Sequence, residues 1–142
     1  QDVRKVNSPN QLDSLKSAFS GKVILVNFWA SWCEPCVEEF PDLIKIKNDF
    51  TDKGLRVILI SLDFPEEFES KLKPFLKSNN VDFTTYFSDF KNSEELMDYF
   101  DKKWDGAMPA TFIFGREGQL ESGFTGKRDY NFYKKEILKL IE

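Results

Sequence analysis

The sequence predicts an α/β fold, and three observations carry that prediction. Val23–Trp29 and Arg56–Leu62 are nearly continuous runs of apolar β-formers, as expected of strands covered on both faces. A helical pattern lies between them, and strand–helix–strand within about 40 residues implies a right-handed parallel crossover. Near the far end, Ala110–Phe114 and Gln119–Thr125 flank Gly115-Arg116-Glu117-Gly118, a turn that makes the last two strands antiparallel.

Each element has its own signal. Ser8 reads as an N-cap, Pro9 as the first helical residue and Gln11 as the returning half of a capping box, with Leu12, Leu15 and Phe19 on one face up to Gly21. A second helix starts near Pro35, with Val37, Phe40, Ile44 and Phe50 as its inward stripe, a bend at Pro41 and its end at Gly54. Beyond Asp63-Phe64-Pro65, the acidic start Glu66-Glu67 and the positions Phe68, Leu72, Phe75 and Leu76 predict a helix kinked at Pro74 and ended by Asn79-Asn80. A short strand over Phe83–Phe87 follows, then a helix over Ser93–Trp104, opened by Ser93 with Glu94 and Glu95 favoured by the helix dipole. Asp129 caps a last helix whose apolar positions are Tyr133, Ile137, Leu140 and Ile141. With no repeat, linker or low-complexity stretch, residues 1–142 are expected to form one domain.

Composition narrows the chemistry. A net charge of −4 disfavours a general phosphate-binding surface, so nucleic acid is not an expected partner. No apolar run reaches the roughly 18 residues needed to span a bilayer, so direct membrane insertion of this segment is not expected either. There is no histidine, which removes imidazole bases, haem attachment through Cys-x-x-Cys-His and every His-containing zinc set. The two cysteines, Cys33 and Cys36, stand three apart, and no wider disulfide framework exists.

Cys33-Glu34-Pro35-Cys36 follows a strand and opens a helix, which puts Cys33 at or near the N-cap. Backbone amides and the positive end of the dipole there stabilise a thiolate, whereas Cys36, one turn in, is more shielded. Half of a zinc site and a structural staple are the rival readings. Zinc would need two further ligands that no Cys or His can supply, and a four-residue loop constrains the unfolded chain too little to matter as a staple. Thiol–disulfide chemistry with Cys33 as nucleophile is the expectation, with no cofactor and no metal.

The stretch Asn27-Phe28-Trp29-Ala30-Ser31-Trp32-Cys33-Glu34-Pro35-Cys36 resembles the active-site segment of thioredoxins, with Pro41 at the family's helix-kinking proline. Met108-Pro109-Ala110-Thr111-Phe112 resembles the family's cis-proline strand. The resemblance implies a thioredoxin fold: a central mixed sheet flanked by helices, with a helix–strand insertion at about 66–89 before the cis-proline half. That insertion, Asn27 before Phe-Trp and the Glu-Pro pair are similar to TlpA-like (ResA-like) thiol-disulfide oxidoreductases, which work outside the cytoplasm. Such proteins usually begin with a β-hairpin, whereas this chain is read as beginning with a capped helix.

The resemblance further implies protein-disulfide substrates, an upstream thiol reductant as electron donor, an extracytoplasmic location and a monomer. It places Pro109 beside the disulfide, Met108 where its backbone can pair with substrate, and Trp32 as a shield over Cys33. Thioredoxins assist proton transfer with a buried aspartate paired to a lysine; Asn27 and Leu59 stand at those positions here. Glu34, Asp63, Glu66 and Glu67 are the candidates to replace that route. The family's peroxidases approach their cysteine through Thr-x-x-Cys with an arginine nearby, and Ser31-Trp32-Cys33 offers neither.

Overall fold

The computed structural model describes residues 2–141. One six-stranded mixed sheet organises the chain: β1 (Val3–Val6), β2 (Val23–Trp29), β3 (Leu55–Ser61), β4 (Thr85–Ser88), β5 (Ala110–Phe114) and β6 (Leu120–Thr125), in the spatial order β1-β4-β3-β2-β5-β6. The first four strands pair in parallel, and β5 and β6 join antiparallel. The helices are α1 (Pro9–Ala18), α2 (Glu34–Phe50), α3 (Lys73–Ser78), α4 (Ser93–Phe100) and α5 (Tyr130–Ile141).

β2 shows why both sheet faces need cover. Its alternating residues Val23, Leu25 and Trp29 enter a cluster with α2 and α5, whereas Ile24, Val26 and Phe28 enter a second cluster with residues of α1 and α4. Asn27 has the parity of the first set and is fully buried, so one polar side chain sits on an otherwise apolar face. Phe28 anchors the opposite cluster, 5.0 Å from the Phe100 ring and 4.8 Å from Trp104.

Several boundaries differ from the expectation. β1 precedes α1 and pairs with β4, so the chain does not begin with the capped helix; four residues, of which Arg4 and Lys5 are exposed and only Val6 is buried, carry too little local pattern to announce a strand made by long-range pairing. At α1 the Ser8 hydroxyl accepts from the Gln11 amide at 3.2 Å, while the Gln11 side chain reaches back to the Asn7 amide rather than to Ser8. In α2 the deeply buried apolar residues are Phe40, Leu43, Ile46 and Phe50, with Val37 and Ile44 only partly covered.

The expected helix from Glu66 is three short pieces: a 3₁₀ turn at Pro65–Glu67, a π turn at Phe68–Leu72, then α3. Pro74 falls in the first turn of α3, where its missing amide is harmless, and the irregular winding lies before it rather than at it. α4 stops at Phe100 instead of Trp104, because Asp101 turns extended and its carboxylate accepts the Lys103 amide at 2.9 Å. Its cap is Asn92, which accepts from Glu94 N, not Ser93. Asp129 does cap the first turn of α5, accepting the Phe132 amide at 2.9 Å.

Candidate functional site

The end of β2 delivers the chain into a tight turn, Cys33 N–H donating to Ala30 O at 3.1 Å, and α2 starts one residue later. Cys33 is the N-cap, in extended backbone conformation, and Glu34 and Pro35 fill the first turn. Cys33 and Cys36 are disulfide-bonded with their Cα atoms 5.2 Å apart. Cys33 is 8% exposed and Cys36 1%, so an incoming sulfur meets Cys33 first. Both sit in the cluster of Trp29, Phe40 and Tyr133, and Met108 packs against that cluster. The Met108–Pro109 peptide bond is cis, and Pro109 O accepts from Gly126 N at 2.8 Å.

Trp29 belongs to the core, its ring 4.8 Å from Phe40 and 5.1 Å from Phe75. Trp32 projects outward, 47% exposed, and stacks nearly flat on Phe64, 55% exposed, at 5.8 Å and 12°. Two aromatic faces thus form a platform beside Cys33.

The acids suggested by sequence take different positions. Asp63 is buried, and its carboxylate accepts from Ser31 N at 3.0 Å, from the Ser31 hydroxyl, and from the Ser61 hydroxyl at 2.5 Å. Those bonds tie the cysteine turn to the end of β3. Glu34 and Glu66 are exposed, and Glu67 forms an ion pair with Lys71 at 2.9 Å.

Sequence reasoning missed Glu39. It is 1% exposed, one turn beyond Cys36 on α2, so the two share a helix face. Its Oε1 accepts from Asn27 Nδ2 at 3.0 Å, and its Oε2 accepts from the Arg128 amide and the Tyr133 hydroxyl, each at 2.9 Å. Thr111 Oγ1 closes the ring, accepting from Asn27 Nδ2 at 3.1 Å and lying 3.3 Å from the Tyr133 hydroxyl oxygen. Burial pushes the Glu39 carboxyl above the ordinary glutamate value, and those donors only partly oppose it. Tyr133 is pushed up as well, by burial first and then by the neighbouring Glu39 charge. The available signal was Asn27 on an apolar strand together with a glutamate three residues beyond Cys36.

A Cys-x-x-Cys disulfide at the N-cap of a helix, on a mixed sheet of this order, defines a thioredoxin-fold dithiol–disulfide protein. The sequence model of the AhpC/TSA family matches residues 5–122, and the chain belongs to that family. It is 36% identical over 115 residues to the thioredoxin-like protein YneN of Bacillus subtilis, covering 80% of this chain and 61% of that protein. It is 28% identical over 110 residues to the thiol-disulfide oxidoreductase ResA of the same organism, covering 78% and 56%. The chain therefore spans somewhat more than half the length of these relatives. The structure of a secreted thiol-disulfide isomerase from Corynebacterium glutamicum superposes with a TM-score of 0.73 at 21% identity, covering 89% of this chain and 74% of that one, a likeness of fold.

No helix among the described residues is long and apolar enough to cross a membrane.

Proposed function

We propose that the protein reduces disulfides in protein substrates through a Cys33/Cys36 dithiol–disulfide cycle outside the cytoplasm. One observation carries the reading: a disulfide whose outer sulfur belongs to a helix N-cap and whose inner sulfur is buried one turn deeper. The oxidoreductase relatives and the secreted structural neighbour support it.

In the reduced protein the Cys33 thiolate, favoured by the α2 dipole, attacks one sulfur of the substrate disulfide, and the other leaves as a thiolate. Cys36 gives its proton to Glu39, whose raised pKa brings it closer to that of a thiol and so improves the transfer. The Cys36 thiolate then attacks Cys33 Sγ and expels the second substrate sulfur. Two electrons have passed from the dithiol to the substrate, and an external thiol reductant restores Cys33 and Cys36. Pro109 and Met108 line the approach, with Met108 offering backbone to an extended substrate and Trp32 flanking the nucleophile.

Equilibration against glutathione tests the direction. We expect a potential below roughly −200 mV, in the range of reductants, whereas a value near −120 mV would make the protein an oxidant.

A further inference from the structure

A cavity of about 370 Å³ opens beside the platform, between the chain leaving β3, the chain leaving β4, the start of α4 and the segment that leads to Met108. Its position follows a general habit of open α/β sheets, whose ligand sites lie beyond the carboxyl ends of parallel strands. The apolar lining includes Leu62, Phe64, Phe90, Leu96, Met97 and Trp104. The charged residues of the lining are Asp63, Asp89 and Asp105, with no lysine or arginine among them.

These three aspartates are not equivalent. Asp63 is committed to Ser31 and Ser61. Asp105 uses Oδ1 to accept the Ala107 amide at 3.1 Å and keeps Oδ2 for another partner. The Asp89 carboxylate has neither a hydrogen bond nor an ion pair among the described residues, although its backbone amide is anchored to Val6 O at 2.9 Å. An apolar floor under uncompensated negative charge fits a side chain with an aliphatic stem and a cationic head. A leucine would fill the floor and leave the acids unanswered. A glutamate would be repelled.

The cavity is also tied to the redox centre. Phe64 lines it and stacks on Trp32, the neighbour of Cys33, while Gly106 lines it two residues before Met108. In an extended substrate, residues two apart point to the same side about 7 Å from one another. A substrate chain extended from Cys33 across the Trp32–Phe64 platform would carry that side chain toward this cavity.

We propose that this cavity is a specificity pocket for an arginine or lysine placed two residues from the substrate cysteine under attack. The proposal rests on the disulfide-reductase reading above.

The test uses synthetic peptides with one intramolecular disulfide that differ only two positions before or after a cysteine, where they carry Arg, Leu or Glu. Single-turnover oxidation of the reduced protein by each peptide is followed. The wild-type protein is expected to react with the best Arg peptide about fivefold faster than with its Leu counterpart, and slowest with Glu, as an ion pair worth about 1 kcal/mol gives. The advantage should shrink in high salt. Asp89→Asn with Asp105→Asn should bring the Arg/Leu ratio to within about twofold, and Asp89→Lys should turn the preference toward Glu, as loss or reversal of one such ion pair requires. Equal Arg and Leu rates in the wild type, or an Arg preference that survives all of these substitutions, overturns the pocket. Failure of every peptide to oxidise the reduced protein is a different result and overturns the reductase reading beneath it.

Discussion

Asn27 and Glu39 meet between β2 and α2, amide nitrogen to carboxylate oxygen at 3.0 Å, and both are shut off from solvent. The Asn27 Oδ1 atom has no partner among the described residues, so the side-chain amide acts there as a donor, to Glu39 and to Thr111. A carboxyl group sits on the face of α2 that also carries Cys36, with its proton affinity raised by burial.

That raised affinity has a sign in folding stability. The folded chain holds the Glu39 proton more tightly than the unfolded chain, so its contribution is complete below the ordinary value of 4.5 and is lost as pH rises through the higher folded value. Urea unfolding of the oxidised protein from about pH 4 to about pH 8 should show wild type losing stability relative to Glu39→Gln as pH increases. A difference that stays flat or moves the opposite way refutes the assignment.

Tyr133→Phe removes the hydroxyl that donates to Glu39 Oε2 at 2.9 Å without changing the ring's packing. Loss of a buried hydrogen bond to an acid costs about 1–3 kcal/mol at a pH where Glu39 is ionised. Since the variant withdraws a donor that favours the carboxylate, the Glu39 pKa should climb further, and the stability difference between Tyr133→Phe and wild type should be larger at high pH than at low pH. Paired denaturation curves at two pH values decide it.

Much of this was legible in the sequence, and what was not has physical reasons. Cys33 and Cys36 could be placed at a helix start because a run of β-formers and a helical stripe bracket them. The ends of α4 and the broken winding before α3 depend on local competition, Asp101 capturing Lys103 and a π turn preceding Pro74, which periodicity does not encode. Glu39 was hidden because a glutamate in an amphipathic helix ordinarily faces water; only its hydrogen bonds from Asn27, the Arg128 amide and Tyr133, all outside α2, reveal why it is buried.

Asp63 is among the candidate acids of the sequence, and its contacts predict a different phenotype. In Asp63→Asn one carboxylate oxygen becomes an amide donor facing the Ser31 and Ser61 groups that now donate to it. The expected loss is about 1–3 kcal/mol, read from the urea midpoint, together with slower disulfide exchange because the turn carrying Cys33 is less well fixed. Unchanged stability would remove Asp63 from the support of that turn.

Glu34 stands beside Cys33, exposed, in the first turn of α2. Its negative charge opposes the thiolate that the helix dipole favours, and a less stable thiolate makes the dithiol the better electron donor. Glu34→Gln should lower the Cys33 pKa and raise the reduction potential together, checked by thiolate absorbance and glutathione equilibration. A potential that moves without the titration would separate the two effects and contradict the electrostatic link.

The most direct measurement of the exchange mechanism is a trap. In Cys36→Ser the resolving sulfur is gone, so Cys33 should attack a disulfide peptide and remain joined to it. Mass spectrometry of the adduct should place the peptide on Cys33, and Cys33→Ser should yield little of it because Cys36 is almost wholly enclosed. An adduct that forms equally well through Cys36, or no adduct from either variant, contradicts the account.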